Sequence, residues 1–94
     1  MSEMPDLSKI RGLVALAGAG SFTLAAERLG VTQSAVSHSI RSLERMFGLR
    51  LVVRSVRGVR LTEAGEVLLL HFEKILVEME MAGEEVENLK RKIA

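Results

Sequence analysis

Gln33, Ser34, Ser37, His38, Arg41 and Arg45 bring neutral hydrogen-bonding groups and fixed positive charge together in one short stretch. Amide and hydroxyl side chains can pair with base edges in a major groove, glutamine with adenine in particular, and guanidinium groups bind phosphate. At about 100° per residue Ser34, Ser37, His38, Arg41 and Arg45 fall on one side of a helix, opposite Val36, Ile40, Leu43 and Phe47. The short polar groups come first and the arginines later, which suits a helix whose N-terminal end faces base edges while its flank meets the backbone. A polar face is otherwise the ordinary solvated side of a surface helix, so the neighbouring elements must decide between the two readings. A second cationic set, Arg54, Arg57 and Arg60, follows closely and suits phosphates or a narrow, electronegative minor groove. Enzymatic chemistry lacks its parts: His38 and His71 stand far apart with no cysteine in the chain, the serines have no paired base, and no glycine-rich phosphate loop follows a strand. No catalytic residue, metal site or cofactor is expected.

Caps and periodicity assign these residues to helices and strands. Asp6 can cap a first helix over 7–17, where Leu7, Ile10, Val14 and Ala17 recur at helical spacing and Gly18 and Gly20 end it. Ser21 can cap a second, Phe22 to Leu29, with small Ala25 and Ala26 for close packing and Gly30 as its stop. Thr32, at the edge of the candidate DNA-facing set, can cap a third, Gln33 to Phe47, closed by Gly48. Helix, short turn, helix is the outcome. Beyond it, Leu49, Leu51 and Val53 alternate with Arg50, Val52 and Arg54, then Ser55 to Gly58 are turn material and Val59 to Leu61 resumes. The alternation predicts a two-stranded wing with Arg57 at its tip as the leading wing contact.

Charge divides the 94 residues at Thr62. Residues 1–62 carry nine basic and four acidic side chains, net +5, and residues 63–94 carry four basic and eight acidic, net −4, which together make the overall +1. The first part suits a polyanion, and the second would be repelled by one. Thr62 can cap a helix of about 30 residues, some 45 Å long, on which Leu68, Phe72, Ile75, Met79, Ala82, Val86, Leu89 and Ile93 are spaced alternately by four and three. Such a seam outruns what a small domain can cover and predicts a partner helix, with Leu69 and Leu76 widening the contact and Gly83 and Ala82 permitting close approach. The chain is therefore expected to be mainly α: a winged helix-turn-helix of three helices and a two-stranded wing over 1–62, and a long dimerisation linker helix over 63–94. The acidic start, Met1 to Asp6, has no basic-then-apolar leader, and no apolar run reaches the roughly 18 residues of a membrane span. A cytoplasmic protein is expected.

Four blocks of residues resemble the LysR-type transcriptional regulators: Gly20-Ser21-Phe22-Thr23 with Ala25-Ala26, Gln33-Ser34-Ala35-Val36-Ser37, Ile40-Arg41 with Leu43-Glu44, and Arg54 followed by Leu61-Thr62 with Ala64-Gly65. In order and at family spacing they span nearly the whole chain. The resemblance implies that Gln33, Ser34, Ser37 and His38 lie where the family touches bases, that Ser21 and Arg41 lie where it holds phosphates, and that Arg54 and Arg57 lie in the wing. His38-Ser39 stands where the family commonly has Arg-Gln, and Val52 where Phe is usual. Family members continue into a two-lobed effector-binding domain, and no small-molecule effector site is expected within these residues.

Two functions of different classes are consistent with these features. One is sequence-specific binding of duplex DNA by a homodimer at an inverted-repeat operator. The other is a winged-helix interaction module whose heptad helix binds another protein and which does not read DNA.

Overall fold

A computed structural model of the chain describes residues 4–93, so the first half of the acidic start lies outside the described residues. The chain runs α1 (Leu7–Ala19), α2 (Phe22–Leu29), α3 (Gln33–Phe47), β1 (Val52–Ser55), β2 (Gly58–Leu61) and α4 (Glu63–Ile93).

Each helix starts where a side chain satisfies an otherwise orphaned amide. Asp6 accepts from Lys9 N at 3.0 Å, Ser21 Oγ from Leu24 N at 3.1 Å, Thr32 Oγ1 from Ala35 N at 3.1 Å and Thr62 Oγ1 from Gly65 N at 3.1 Å. The Lys9 amide, with the Lys9 ammonium beside it, holds the Asp6 carboxyl below its usual range. α1 runs two residues beyond the expected 7–17. Gly18 stays helical, and the left-handed conformation that ends the helix belongs to Gly20, at φ +76°.

α1, α2 and α3 enclose an aliphatic core of Ile10, Leu13, Leu16, Ala25, Ala26, Val36, Ile40 and Leu43, to which Phe22, Leu51, Val52 and Phe72 are added from outside the bundle's centre. α1 crosses α3 at Gly12, where an added Cβ would lie 3.1 Å from Ser39 Cβ. Ser39 is therefore buried at the crossing. Its place in the departure from the family's Arg-Gln pair is one of packing, and only His38 of the two reaches the surface.

The strands are shorter than the alternation predicts. Leu49 to Leu51 form no strand, and the inward pair is Leu51 and Val52, while Leu49 and Val53 are exposed. Two side chains and one further cross-strand amide hold the backbone of this segment. Glu44 Oε2 accepts from Leu51 N at 2.8 Å, Thr62 Oγ1 donates to Arg50 O at 2.7 Å, and Thr62 N donates to Leu51 O at 2.9 Å. β1 and β2 pair antiparallel from Val52↔Leu61 to Ser55↔Gly58, leaving Val56 and Arg57 as the two-residue turn. Gly58, at φ +114°, supplies the conformation that the return requires.

α4 begins at Glu63, as Thr62 and the acidic first turn predict, and packs on α1 and β2. Phe72, placed in the dimer seam by spacing, is only 4% exposed and belongs to the core of its own domain. This corrects its assignment to the seam. Leu68 and Leu76 pack against the same core, so three successive turns of α4 are used internally. Residues four apart lie only about 40° apart round a helix, so a face that points at the domain at Leu68 still points near it one and two turns later. From Ile75 onward the expected seam emerges into solvent, with Met79, Val86 and Leu89 each more than half exposed.

Candidate nucleic-acid interface

The third helix presents the face expected of it. Thr32, Gln33, Ser34, His38, Arg41 and Arg45 are exposed, Ser37 is half-buried between them and the core, and Val36, Ile40 and Leu43 are buried on the other side. Phe47 is only partly buried, where the helix runs past the bundle. Ser21 and Thr32 cap the starts of α2 and α3, and helix N-termini favour anions.

Ion pairing separates the cations held by a carboxylate from those that are not. Among the described residues the ion pairs are Lys9–Asp6, Arg50–Glu44 and Lys90–Glu87. Arg50 is thereby fixed to the fold, its Nε 3.3 Å from Glu44. Arg41, Arg45, Arg54, Arg57 and Arg60 have no carboxylate within ion-pairing distance among the described residues, and all five are exposed. Uncompensated guanidinium groups are what a phosphate backbone attracts, and the register sets Arg54 and Arg60 on opposite faces of the hairpin.

Arg54 sits on β1 with its guanidinium carbon 4.2 Å from the centroid of the Phe22 ring, which brings it beside the start of α2. Arg57 occupies the hairpin tip, and its amide donates to Ser55 Oγ at 3.3 Å while Ser55 Oγ donates to Gly58 O at 3.1 Å. The tip is therefore a defined turn rather than a loose loop. Residue-by-residue reading of the sequence passed over Arg11. On the exposed side of α1, it lines with Ser8, Thr32, Ser34 and His38 an open concavity of about 730 Å³ along the edge of the reading face. Its signal was available: no acid stands three or four residues away to pair with it on the helix.

Residues 7–66 match the model of the bacterial regulatory helix-turn-helix proteins of the LysR family. The chain belongs to the LysR family. The matched stretch ends inside the first turn of α4 and contains every element of the candidate interface. This LysR-type chain is 45% identical over 74 residues to the HTH-type transcriptional regulator YfeR of Shigella flexneri, covering 79% of the chain and 24% of that regulator. It superposes with a TM-score of 0.79 and 31% identity on the CbnR DNA-binding domain in its complex with DNA, over 89% of this chain and 97% of that one. It also superposes on oxidized OxyR of Corynebacterium glutamicum with a TM-score of 0.85 and 31% identity, over 92% of this chain and 28% of OxyR. It thus spans about a quarter of YfeR and of OxyR. Within that span the LysR-type chain is a DNA-binding winged helix-turn-helix with a long C-terminal helix. None of its helices is long and apolar enough to cross a membrane, among the described residues.

Proposed function

We propose that this chain binds duplex DNA sequence-specifically as a homodimer in the cytoplasm and thereby regulates transcription, each α3 entering a major groove of an inverted-repeat operator. The observation that carries the reading is the exposed face of α3, where base-pairing groups at the N-terminal end adjoin arginines that have no carboxylate partner among the described residues. Residues 1–62 make the contacts in this reading: Gln33, Ser34, Ser37 and His38 to bases, Ser21, Thr32 and Arg41 to phosphates, and Arg54 and Arg57 from the wing. The complex of CbnR with DNA supports it, as a relative of the same fold. Selection from a randomised duplex pool is expected to enrich a two-fold-symmetric motif, and no enrichment at low salt would contradict the proposal. Gln33→Ala is expected to relax preference at one base pair at a cost of about 1 to 3 kcal/mol, whereas Arg41→Ala weakens all sequences alike and lowers the salt slope by about one. Equal effects of the two on every sequence would show that Gln33 does not read bases.

Residues 63–94 join the two copies. Their apolar surface changes sides along the helix. In the first half Leu68 and Phe72 face the domain, and Val67, Leu70 and Val77 form a second apolar stripe on the outer side. In the second half the free residues are Met79, Ala82, Val86 and Leu89 of the seam. An antiparallel two-fold pair lays the second half of each helix on the outer stripe of the other's first half. It also brings Lys90, Arg91 and Lys92 at the end of one α4 near Glu63 and Glu66 at the start of its partner. Met79→Glu and Val86→Glu are each expected to weaken self-association about 100-fold or more by burying unpaired charge. Sedimentation of intact dimers for both would contradict this arrangement, and a monomeric parent chain would favour a heterologous partner helix instead.

A further inference from the structure

We propose that Phe22 is a positioning residue for DNA binding, its ring holding the Arg54 guanidinium in place at the N-terminal end of α2 before any phosphate arrives. The inference rests on the DNA-binding reading and adds to it a residue that cannot itself hydrogen-bond to nucleic acid. Phe22 is 8% exposed and is anchored in the core as the first residue of α2, so its ring is a fixed platform. Arg54 lies over that ring, with 4.2 Å from its Cζ to the centroid. Stacking engages the flat face of a guanidinium and leaves the N–H donors around its rim available.

The strand that carries Arg54 is held as firmly. Its partner in the ladder, Val59, donates its amide to Gly20 O at 3.1 Å, across to the α1–α2 corner. Gly58 approaches the same carbonyl so closely that a Cβ there would lie 2.7 Å from the oxygen. The base of the wing is thus fixed to the corner from which α2 starts, and Arg54 differs in kind from Arg57, which projects at the free tip. A long side chain ordered in advance avoids an ordering penalty on binding equivalent to about threefold to tenfold in affinity.

The test measures anisotropy of a labelled duplex of arbitrary sequence, about 30 base pairs long, at fixed low salt where phosphate contacts dominate. It compares the 94-residue parent with Phe22→Leu, Arg54→Ala and the double variant. Arg54→Ala is expected to weaken binding about tenfold and Phe22→Leu about threefold to tenfold, while the double variant binds no more weakly than Arg54→Ala alone. Phe22→Tyr, which keeps the ring, should bind within about twofold of the parent. Additive losses in the double variant would mean that Phe22 acts through general stability, and would overturn the proposal, as would an Arg54→Ala protein of parental affinity. If Arg41→Ala weakens binding while Arg54→Ala does not, the positioning role alone falls; if the parent fails to bind the duplex, the DNA-binding reading falls with it. A second measurement does not depend on the folding of Phe22→Leu. In the free parent the Arg54 Cδ protons should be shifted upfield by the ring current, and random-coil shifts there would equally overturn the proposal.

Discussion

Phe72→Glu is expected to abolish cooperative folding of the domain and not simply to separate two copies. The ring is 4% exposed, and it closes the core from the third turn of α4. Removing a buried phenyl ring costs about 3 to 5 kcal/mol. A carboxylate in its place adds the penalty of an unpaired buried charge, and a domain of this size has only about 5 to 14 kcal/mol of stability in total. Far-ultraviolet circular dichroism during heating should show no sigmoidal transition at neutral pH. A cooperative transition near the parental midpoint would place Phe72 outside the core. The contrast with Val86→Glu is informative because both residues sit in the same heptad register. Val86 is 54% exposed in the single chain, so its substitution should leave the domain folded while weakening self-association.

Gly65→Ala is expected to destabilise the domain by about 3 kcal/mol, the upper end of the range for overpacking. In an isolated helix the same change would stabilise by about 1 kcal/mol. The sign reverses because an added Cβ would lie 2.2 Å from the Leu51 carbonyl oxygen and 3.2 Å from Leu61 Cβ. The carbonyl cannot easily retreat, since it accepts from Thr62 N at 2.9 Å, the residue that also caps α4. Relief would have to shift α4 away from the helix-turn-helix. Gly83 provides the control on the same helix. Nothing lies within 4 Å of its added Cβ, so Gly83→Ala should raise the midpoint of the monomeric chain by roughly 4 to 8 °C per kcal/mol gained. A Gly65→Ala midpoint at or above the parental value would refute the close approach of α4 to Leu51.

The starts of all four helices were legible because a capping side chain and the amide it satisfies stand three residues apart in the chain. The reading face of α3 was legible for a similar reason: helical periodicity is local, so Ser34, His38 and Arg41 separate from Val36, Ile40 and Leu43 without knowledge of any neighbour. The wing was read in outline but misplaced by its first residues. Alternation counts Leu49 into the strand, whereas the Glu44 carboxylate and the Thr62 hydroxyl take the Leu51 amide and the Arg50 carbonyl that would have extended the ladder.

Spacing also identified the apolar surface of α4 without saying what covers it. Periodicity is a property of one element, and burial is a property of how elements cross. Local pattern suffices for the helix-turn-helix, the cationic face and a C-terminal helix with more apolar surface than one domain needs. It takes the packing of the elements to assign Phe72 to the core, to close Ser39 off against Gly12 while His38 stays at the surface, and to rest Arg54 on Phe22. Each of those outcomes depends on residues brought together from different elements, by a packing geometry that no single stretch of the chain encodes.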